Sequence, residues 1–99
     1  MSGRATWDAL RRQRLEKPAA RASEENARLA YDLGRQVREL REANGLSQRQ
    51  LAERMRTTQS VIARLEAGGS KPSLSTLERV ASALGTSIDI RFRERAAAG

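Results

Sequence analysis

The sequence predicts a mainly α-helical fold with a single β-strand near the carboxyl end. Apolar residues recur three and four positions apart, and small polar residues suited to N-caps precede these stretches, which together predict helices. Strict alternation of apolar and polar residues over 87–93 predicts the strand. We expect four helices in a central domain, over residues 30–44, 48–55, 59–67 and 75–84, with a tight turn between the second and the third.

Each of these helices has one apolar face and recognisable ends. Ser47 and Thr58 stand where N-caps belong, immediately before the second and third helices. Gly45 and Gly85 are expected to end the first and last helices in the left-handed conformation. The predicted core combines the four apolar faces: Leu33, Val37 and Leu40; Leu51, Ala52 and Met55; Ile62 and Leu65; and Leu74, Leu77, Val80, Ala81 and Leu84.

The amino-terminal residues 1–29 are predicted to form a helical arm outside this domain. A short helix is expected over 6–16, interrupted by Lys17-Pro18, and a second helix is expected to begin at Ser23 and run towards the domain. Gly34 lowers the helix propensity of that stretch by about 1 kcal/mol relative to Ala. It therefore predicts either a break in the helix or close packing against a neighbouring helix.

The arm contains the only Trp of the chain, Trp7, with Leu10 and Leu15 at helical spacing. A large aromatic residue outside a core is typical of a side chain that is buried on contact with something else. Two interpretations stay open: Trp7 folds back onto its own domain, or Trp7, Leu10 and Leu15 form the binding surface for a partner.

Residues 87–93 are the only segment with the period of a half-buried strand, with Ile88, Ile90 and Phe92 on its apolar face. A single strand cannot satisfy its own backbone N–H and C=O groups. The same segment of a second copy is the economical partner, which predicts an antiparallel ribbon across a two-fold axis. The alternative is a frayed tail, and residues 94–99 are expected to be disordered in either case.

Composition limits the classes of function. Nineteen basic against twelve acidic residues give a formal net charge of +7, which agrees with a nucleic-acid partner; the Arg bias also arises in GC-rich genomes. The absence of Cys and His removes disulfides, thiolate metal sites and the usual acid or base of an enzyme. We therefore expect neither an enzyme nor a cofactor. No apolar run approaches the roughly 20 residues that span a bilayer, so a cytoplasmic protein is expected.

The segment LSQRQLAERMRTTQSVIARLE, residues 46–66, leaves Gln59, Ser60 and Arg64 on the outer face of the third predicted helix. Amide, hydroxyl and guanidinium groups are those that read base edges in the major groove of DNA. On this motif, residues 33–84 resemble a helix-turn-helix of the Xre family, the lambda-repressor-like group. The resemblance implies a compact five-helix domain, here residues 30–86, that binds a specific DNA sequence.

The resemblance also implies which residues contact DNA. Gln48 is expected to bind a phosphate through its side chain and backbone N–H, and Thr58 to touch a thymine methyl group or a phosphate. Gln suits adenine and Arg suits guanine at the base-reading positions. The predicted DNA-binding residues are Ser47, Gln48, Arg56, Thr58, Gln59, Ser60, Arg64, Ser70 and Lys71.

Several of these positions have a second interpretation. Ser70 and Lys71 either hold the DNA backbone or belong to a polar loop. Arg56 stands where many relatives have Gly, so a positive φ there would strain the backbone by about 1 kcal/mol; its side chain either reaches a phosphate or is simply solvated. Arg41 and Glu66 are expected to form a structural ion pair, as in the family.

The layout of arm, helix, motif, closing helix and short strand is similar to that of HigA-type antitoxins. This resemblance implies a transcriptional repressor that neutralises a small ribonuclease toxin and represses its own operon, with a homodimer on a palindromic double-stranded operator. A solitary Xre-type regulator resembling phage repressors has the same central half and is the first alternative. The second alternative is a protein-interaction scaffold.

Overall fold

A computed structural model describes the backbone of residues 2–94 and the side chains of residues 22–94. Between residues 2 and 94 it contains four α-helices: α1 (Ser2–Ala43), α2 (Gln48–Met55), α3 (Gln59–Glu66) and α4 (Leu74–Ala83). The mainly helical fold is confirmed, although the resemblance implied a fifth helix. None of these helices combines the length and apolar character that a membrane span requires.

Helix α1 is one continuous helix of 42 residues, so the predicted interruption at Lys17-Pro18 is wrong. Proline removes one backbone donor from a helix, but here Ala, Arg, Leu and Glu, which are strong helix formers, flank it on both sides. At about 1.5 Å per residue such a helix is about 63 Å long, which matches the 64 Å longest dimension of the molecule. The side chains of Trp7, Leu10 and Leu15, and all of residues 95–99, lie outside the described part.

The predicted ends of the helices are present. Gly45 and Gly85 have positive φ angles of 70° and 66° after α1 and α4. Ser47 caps α2 in a reciprocal arrangement with Gln50, since each side chain accepts a hydrogen bond from the backbone N–H of the other. Thr58 caps α3 by accepting a hydrogen bond from a backbone N–H at 3.3 Å.

The core lies where α1, α2, α3 and α4 meet. Two of the predicted core residues are exposed instead: Leu40 is 40% exposed and Leu74 is 53% exposed. Both line a groove between α1 and α4, which no described element fills. The buried core consists of Val37, Leu51, Ala52, Met55, Ile62, Leu65, Val80 and Leu84, and the predicted Leu33 and Leu77 are only partly buried.

At Gly34 the backbones of α1 and α3 approach each other closely. A Cβ atom at this position would lie 2.4 Å from the carbonyl oxygen of Leu65 and 2.8 Å from that of Glu66. Helix α1 continues through Gly34 without a break, so close packing is the correct one of the two predicted alternatives. The contact brings the end of α3 against the carboxyl-terminal quarter of α1.

Two arginines join α2 to α4 at their carboxyl ends. Arg79 of α4 donates a hydrogen bond to the carbonyl oxygen of Met55, the last residue of α2. Arg54 of α2 donates to the carbonyl oxygen of Ala83, the last residue of α4, at 3.1 Å. The last carbonyls of a helix lack intrahelical partners, so each helix caps the other.

Residues 86–94 have no regular secondary structure in the single chain. The strand predicted over 87–93 is therefore not formed in this state, since within residues 2–94 no second strand exists to pair with it. Ile88, Ile90 and Phe92 are all exposed, and Phe92 most of all. Pairing of this segment with a second copy stays a prediction.

Candidate nucleic-acid interface

Helix α3 presents the predicted base-reading residues to solvent. Ile62 and Leu65 are buried on its inner face, whereas Gln59, Ser60 and Arg64 are exposed on the other. The buried pair holds α3 against the core, so the orientation of its outer face is set by packing. A rigid helix with an exposed amide, hydroxyl and guanidinium can enter the major groove and form hydrogen bonds with base edges.

The two N-cap residues on the predicted DNA-binding surface have part of their hydrogen-bonding capacity engaged. The Ser47 hydroxyl and backbone N–H are both bonded to Gln50. Thr58 Oγ1 accepts from the Val61 N–H, which leaves its hydroxyl hydrogen available to a phosphate because a hydroxyl donates one bond and accepts two. Thr58 is exposed beside Gln59 at the start of α3.

A buried ion pair lies behind this surface. Arg41 donates from Nε to one oxygen of Glu66 at 2.6 Å and from Nη2 to the other at 2.9 Å. Its third nitrogen, Nη1, donates to the carbonyl oxygen of Leu46 at 2.7 Å. The hydrogen bond with Glu66 raises the pKa of Arg41 despite the opposing effect of desolvation. The structure thus brings together the two residues predicted to pair.

Gln48 is joined to the same ion pair, which the sequence did not indicate. Its Nε2 atom donates to Oε1 of Glu66 at 3.1 Å. A side-chain amide carries two N–H groups, so one remains for the predicted phosphate contact. Because Glu66 ends α3 while Gln48 begins α2, this hydrogen bond fixes the predicted phosphate-binding residue relative to the predicted base-reading helix.

Arg56 stands where many relatives have Gly, and its backbone has the left-handed conformation considered for that position. It follows α2 with φ 55° and ψ 46°, and no other non-glycine residue in the described part has a positive φ. Its backbone N–H bonds to carbonyl oxygens of α2, so the residue serves as the C-cap. Its side chain is exposed, and the predicted phosphate contact stays a prediction.

The loop after α3 lies beside the predicted base-reading residues. Ser60, Arg64, Ser70 and Lys71 together line a surface groove of about 640 Å³. Lys71 also places its Nζ atom 3.5 Å from Oδ1 of Asn26 on α1. Its ammonium therefore has a protein partner close by and still has further donors for a phosphate.

Val61 lines the same groove and was not predicted as a functional residue. It is 47% exposed on α3, directly after Ser60. An exposed apolar side chain on such a helix can contact a thymine methyl group. The signal available in the sequence was an apolar residue outside the helical stripe formed by Ile62 and Leu65.

The face formed by α2, α3 and the following loop does not include every predicted site residue. Ile88 and Ile90 line the groove between α1 and α4 instead. Among the described side chains, no group of three or more metal-ligating residues lies close enough together to hold a metal ion. The arrangement on α2 and α3 is suited to binding a polyanion that also presents a regular array of hydrogen-bonding groups.

Comparison with known proteins agrees with this geometry. Residues 37–90, more than half of the chain, match the helix-turn-helix family. The chain belongs to the helix-turn-helix family. This confirms the predicted type of DNA-binding domain, whereas the narrower resemblance to HigA-type antitoxins stays a prediction.

Two relatives illustrate the helix-turn-helix similarity. The immunity repressor protein of Bacillus phage phi105 is 41% identical over 56 residues, which cover 57% of this chain and 39% of the relative. The match thus spans about two-fifths of the length of that curated relative. The crystal structure of the clp gene regulator ClgR from C. glutamicum is similar with a TM-score of 0.59 and 35% identity, over 61% of this chain and 77% of that one.

Proposed function

We propose that the chain is a transcriptional repressor that binds a palindromic operator in double-stranded DNA as a homodimer. The observation that carries the proposal is the outer face of α3, where Gln59, Ser60 and Arg64 are exposed on a helix fixed by its buried inner face. These polar side chains have no role in the core. Membership of the helix-turn-helix family and the similarity to a phage repressor support the same function.

The side chains of this surface suit two different parts of DNA, the base edges and the phosphates. Gln59 suits adenine and Arg64 suits guanine, because each can form two hydrogen bonds with the base edge. Gln48, Arg56 and Lys71 carry donors for the phosphates on either side, and such contacts position the protein without reading sequence. The net charge of +7 favours association with DNA at any sequence. We propose binding, without catalysis, as the whole activity of this surface.

The test uses an operator selected from random DNA by the purified chain. Arg64→Ala and Gln59→Ala are each expected to lower affinity for that operator by about 1–3 kcal/mol while affinity for unrelated DNA falls much less. Arg38→Ala is the matched control, because Arg38 is an exposed arginine that belongs to α1 and not to α2, α3 or the following loop. Fluorescence anisotropy at one salt concentration measures all four proteins. If both variants bind the operator as tightly as the parent, α3 does not read the bases.

We further propose that this repressor is an antitoxin whose partner is a small ribonuclease toxin. The support is the layout of the chain and the length of α1, which runs for 42 residues. Among the described side chains of α1, the first buried one belongs to Ala30. The amino-terminal part of α1, with Trp7, Leu10 and Leu15, is then the surface that binds the toxin.

Co-expression with the product of the neighbouring gene tests the antitoxin proposal. The full chain is expected to co-purify with a small basic protein and to suppress its toxicity, and deletion of residues 1–18 is expected to abolish both effects. The deletion variant should keep most of its operator affinity, because the binding surface begins at Ser47. Failure of the full chain to bind that product favours a solitary regulator. If neither the full chain nor the deletion variant binds operator DNA, a protein-interaction scaffold is favoured.

A further inference from the structure

Exposed apolar side chains are concentrated in one place on this protein. Of the eight large apolar residues exposed among residues 22–94, five line the groove of about 700 Å³ between α1, α4 and residues 86–91. Those five are Leu29, Leu40, Leu74, Ile88 and Ile90. A contiguous apolar patch of this kind is typical of an interaction surface.

The carboxyl-terminal segment that borders this groove carries its own pattern of charge. Asp89 accepts a hydrogen bond from Nε of Arg91 at 3.1 Å, and both side chains are largely exposed. Residues two apart lie on one face of an extended chain. In a strand the opposite face would carry Ile88, Ile90 and Phe92, and in the single chain Phe92 is 99% exposed.

We propose that a second copy of this chain covers the groove through an antiparallel ribbon of residues 88–92 with Ile90 on the two-fold axis. The proposal rests on the homodimer of the proposed function and specifies its register. With Ile90 opposite itself, Ile88 lies opposite Phe92 of the second copy, and Asp89 lies opposite Arg91 of the second copy. Directly opposed residues share a face of the ribbon, so apolar residues meet apolar ones and opposite charges meet.

Neighbouring registers that keep apolar residues opposite each other bring like charges together on the two-fold axis, although centring on Arg91 also places Asp89 opposite Arg93. Centring the ribbon on Asp89 places two carboxylates opposite each other, and centring it on Arg91 places two guanidinium groups opposite each other. Like charges at opposed positions are destabilising. A slip that offsets the pairing by one residue opposes apolar side chains to charged ones and turns the apolar set away from the groove. Charge complementarity therefore selects a second copy as the occupant and Ile90 as the centre.

The same register gives Phe92 an apolar environment that it lacks in its own chain. Ile88 and Leu74 lie together at the α4 side of the groove. Phe92 of the second copy, opposite Ile88, then covers Leu74, and the two-fold axis repeats the contact in the other copy. Each copy therefore supplies the aromatic residue that closes the groove of the other.

Single cysteines test the register directly, because the native chain contains none. Ile90→Cys is expected to form a disulfide-linked dimer on mild oxidation, since opposed residues have Cα atoms about 4.5–5.5 Å apart. Ile88→Cys and Phe92→Cys are expected to stay unlinked, because their own equivalents in the second copy lie about 13 Å away, four strand residues along. Disulfides do not bridge Cα atoms more than about 7 Å apart. Non-reducing electrophoresis distinguishes the three variants.

A second measurement addresses the groove itself. Phe92→Ala is expected to raise the dimer dissociation constant about tenfold or more in sedimentation equilibrium, whereas Tyr31→Ala, which removes an exposed aromatic outside the groove, should leave it unchanged. Asp89→Arg should weaken the dimer, and Asp89→Arg combined with Arg91→Asp should restore it. Equal effects of Phe92→Ala and Tyr31→Ala would overturn the assignment of Phe92.

The outcomes separate this inference from the proposed function. A native chain that stays monomeric both free and on its operator contradicts the homodimer itself. A native dimer in which Ile90→Cys does not cross-link, or in which Ile88→Cys or Phe92→Cys does, contradicts the register while leaving the DNA-binding homodimer intact.

Discussion

At the scale of single residues, Glu66 links three helices. Its carboxylate, 3% exposed, accepts two hydrogen bonds from Arg41 of α1 and one from Gln48 of α2. An ionised carboxylate has about four acceptor sites in its two oxygens, so most are occupied. The raised pKa of Arg41 means that its favourable contact with the Glu66 carboxylate is present at neutral pH and is lost as the pH rises through the alkaline range in which the guanidinium loses its proton.

Removal of one partner from this pair should destabilise the fold strongly. Arg41→Met leaves the Glu66 carboxylate buried without its cation, and such a change costs about 3–5 kcal/mol. Arg35→Met is the control, because the Arg35–Glu39 pair is exposed (44% and 58%) and pairs of that kind contribute at most about 0.5 kcal/mol. Urea unfolding followed by circular dichroism gives both values. Similar losses in the two variants would contradict a structural role for Arg41 and Glu66.

Two substitutions of the left-handed residue Arg56 distinguish the effect of its backbone strain from the function of its side chain. Arg56→Gly removes both the strain and the side chain, whereas Arg56→Ala removes only the side chain. With φ at 55°, the glycine variant should be more stable than the alanine variant by about 1 kcal/mol. If Arg56 reaches a phosphate, both variants should show equally weakened operator binding with a smaller dependence on salt. Unchanged binding in both would identify Arg56 as a solvated residue.

At the scale of helices, the packing of α1 on α3 should reverse the effect on stability that helix propensity predicts for Gly34→Ala. Gly34→Ala should stabilise an isolated helix by about 1 kcal/mol. In this protein the new Cβ atom would lie 2.4 Å from the backbone oxygen of Leu65, and overpacking of this kind costs about 1–3 kcal/mol. We therefore expect a net loss of stability in thermal unfolding. Ala27→Gly, on an exposed part of α1, measures propensity alone, and a stabilising Gly34→Ala would contradict the close approach.

Helices α2 and α4 are short, at 8 and 10 residues, and isolated helices of that length are marginal in water. Their stability depends on caps and on packing. Ser47 and Ser73 cap their amino ends, and Arg79 and Arg54 satisfy carbonyls at their carboxyl ends. These connections fix α2, which begins with the predicted phosphate-binding residue Gln48, to the rest of the domain.

At the scale of the whole molecule, two-fold symmetry predicts the spacing of the operator. A symmetric dimer of this motif should bind two half-sites about 34 Å, or one turn of DNA, apart. Insertion of about five base pairs between them moves the half-sites to opposite faces of the duplex and should reduce affinity towards that of one half-site. A spacer of the original length with a different sequence is the control in the same anisotropy assay. Indifference to the insertion would show that the two copies do not bind as one rigid unit.

The sequence predicted most of what depends on neighbours along the chain. The bounds of α2, the start of α3, the caps Ser47 and Thr58, and the left-handed Gly45 and Gly85 agree with the structure, and α3 ends one residue earlier than predicted. Each of these features is decided by hydrogen bonds and steric effects among residues no more than about four positions apart. The family resemblance added the pairing of Arg41 with Glu66, which lie 25 residues apart.

The features that only the tertiary structure decided all depend on distant residues. The hydrogen bond from Gln48 to Glu66 joins the ends of two helices, and the exposure of Leu40 and Leu74 reflects a groove between α1 and α4 that no described element fills. Apolar periodicity shows which face of a helix is apolar, but burial depends on whether another element reaches that face. For the same reason the alternation over 87–93 predicted a strand that one chain alone cannot form, since its hydrogen-bonding partner must come from outside it.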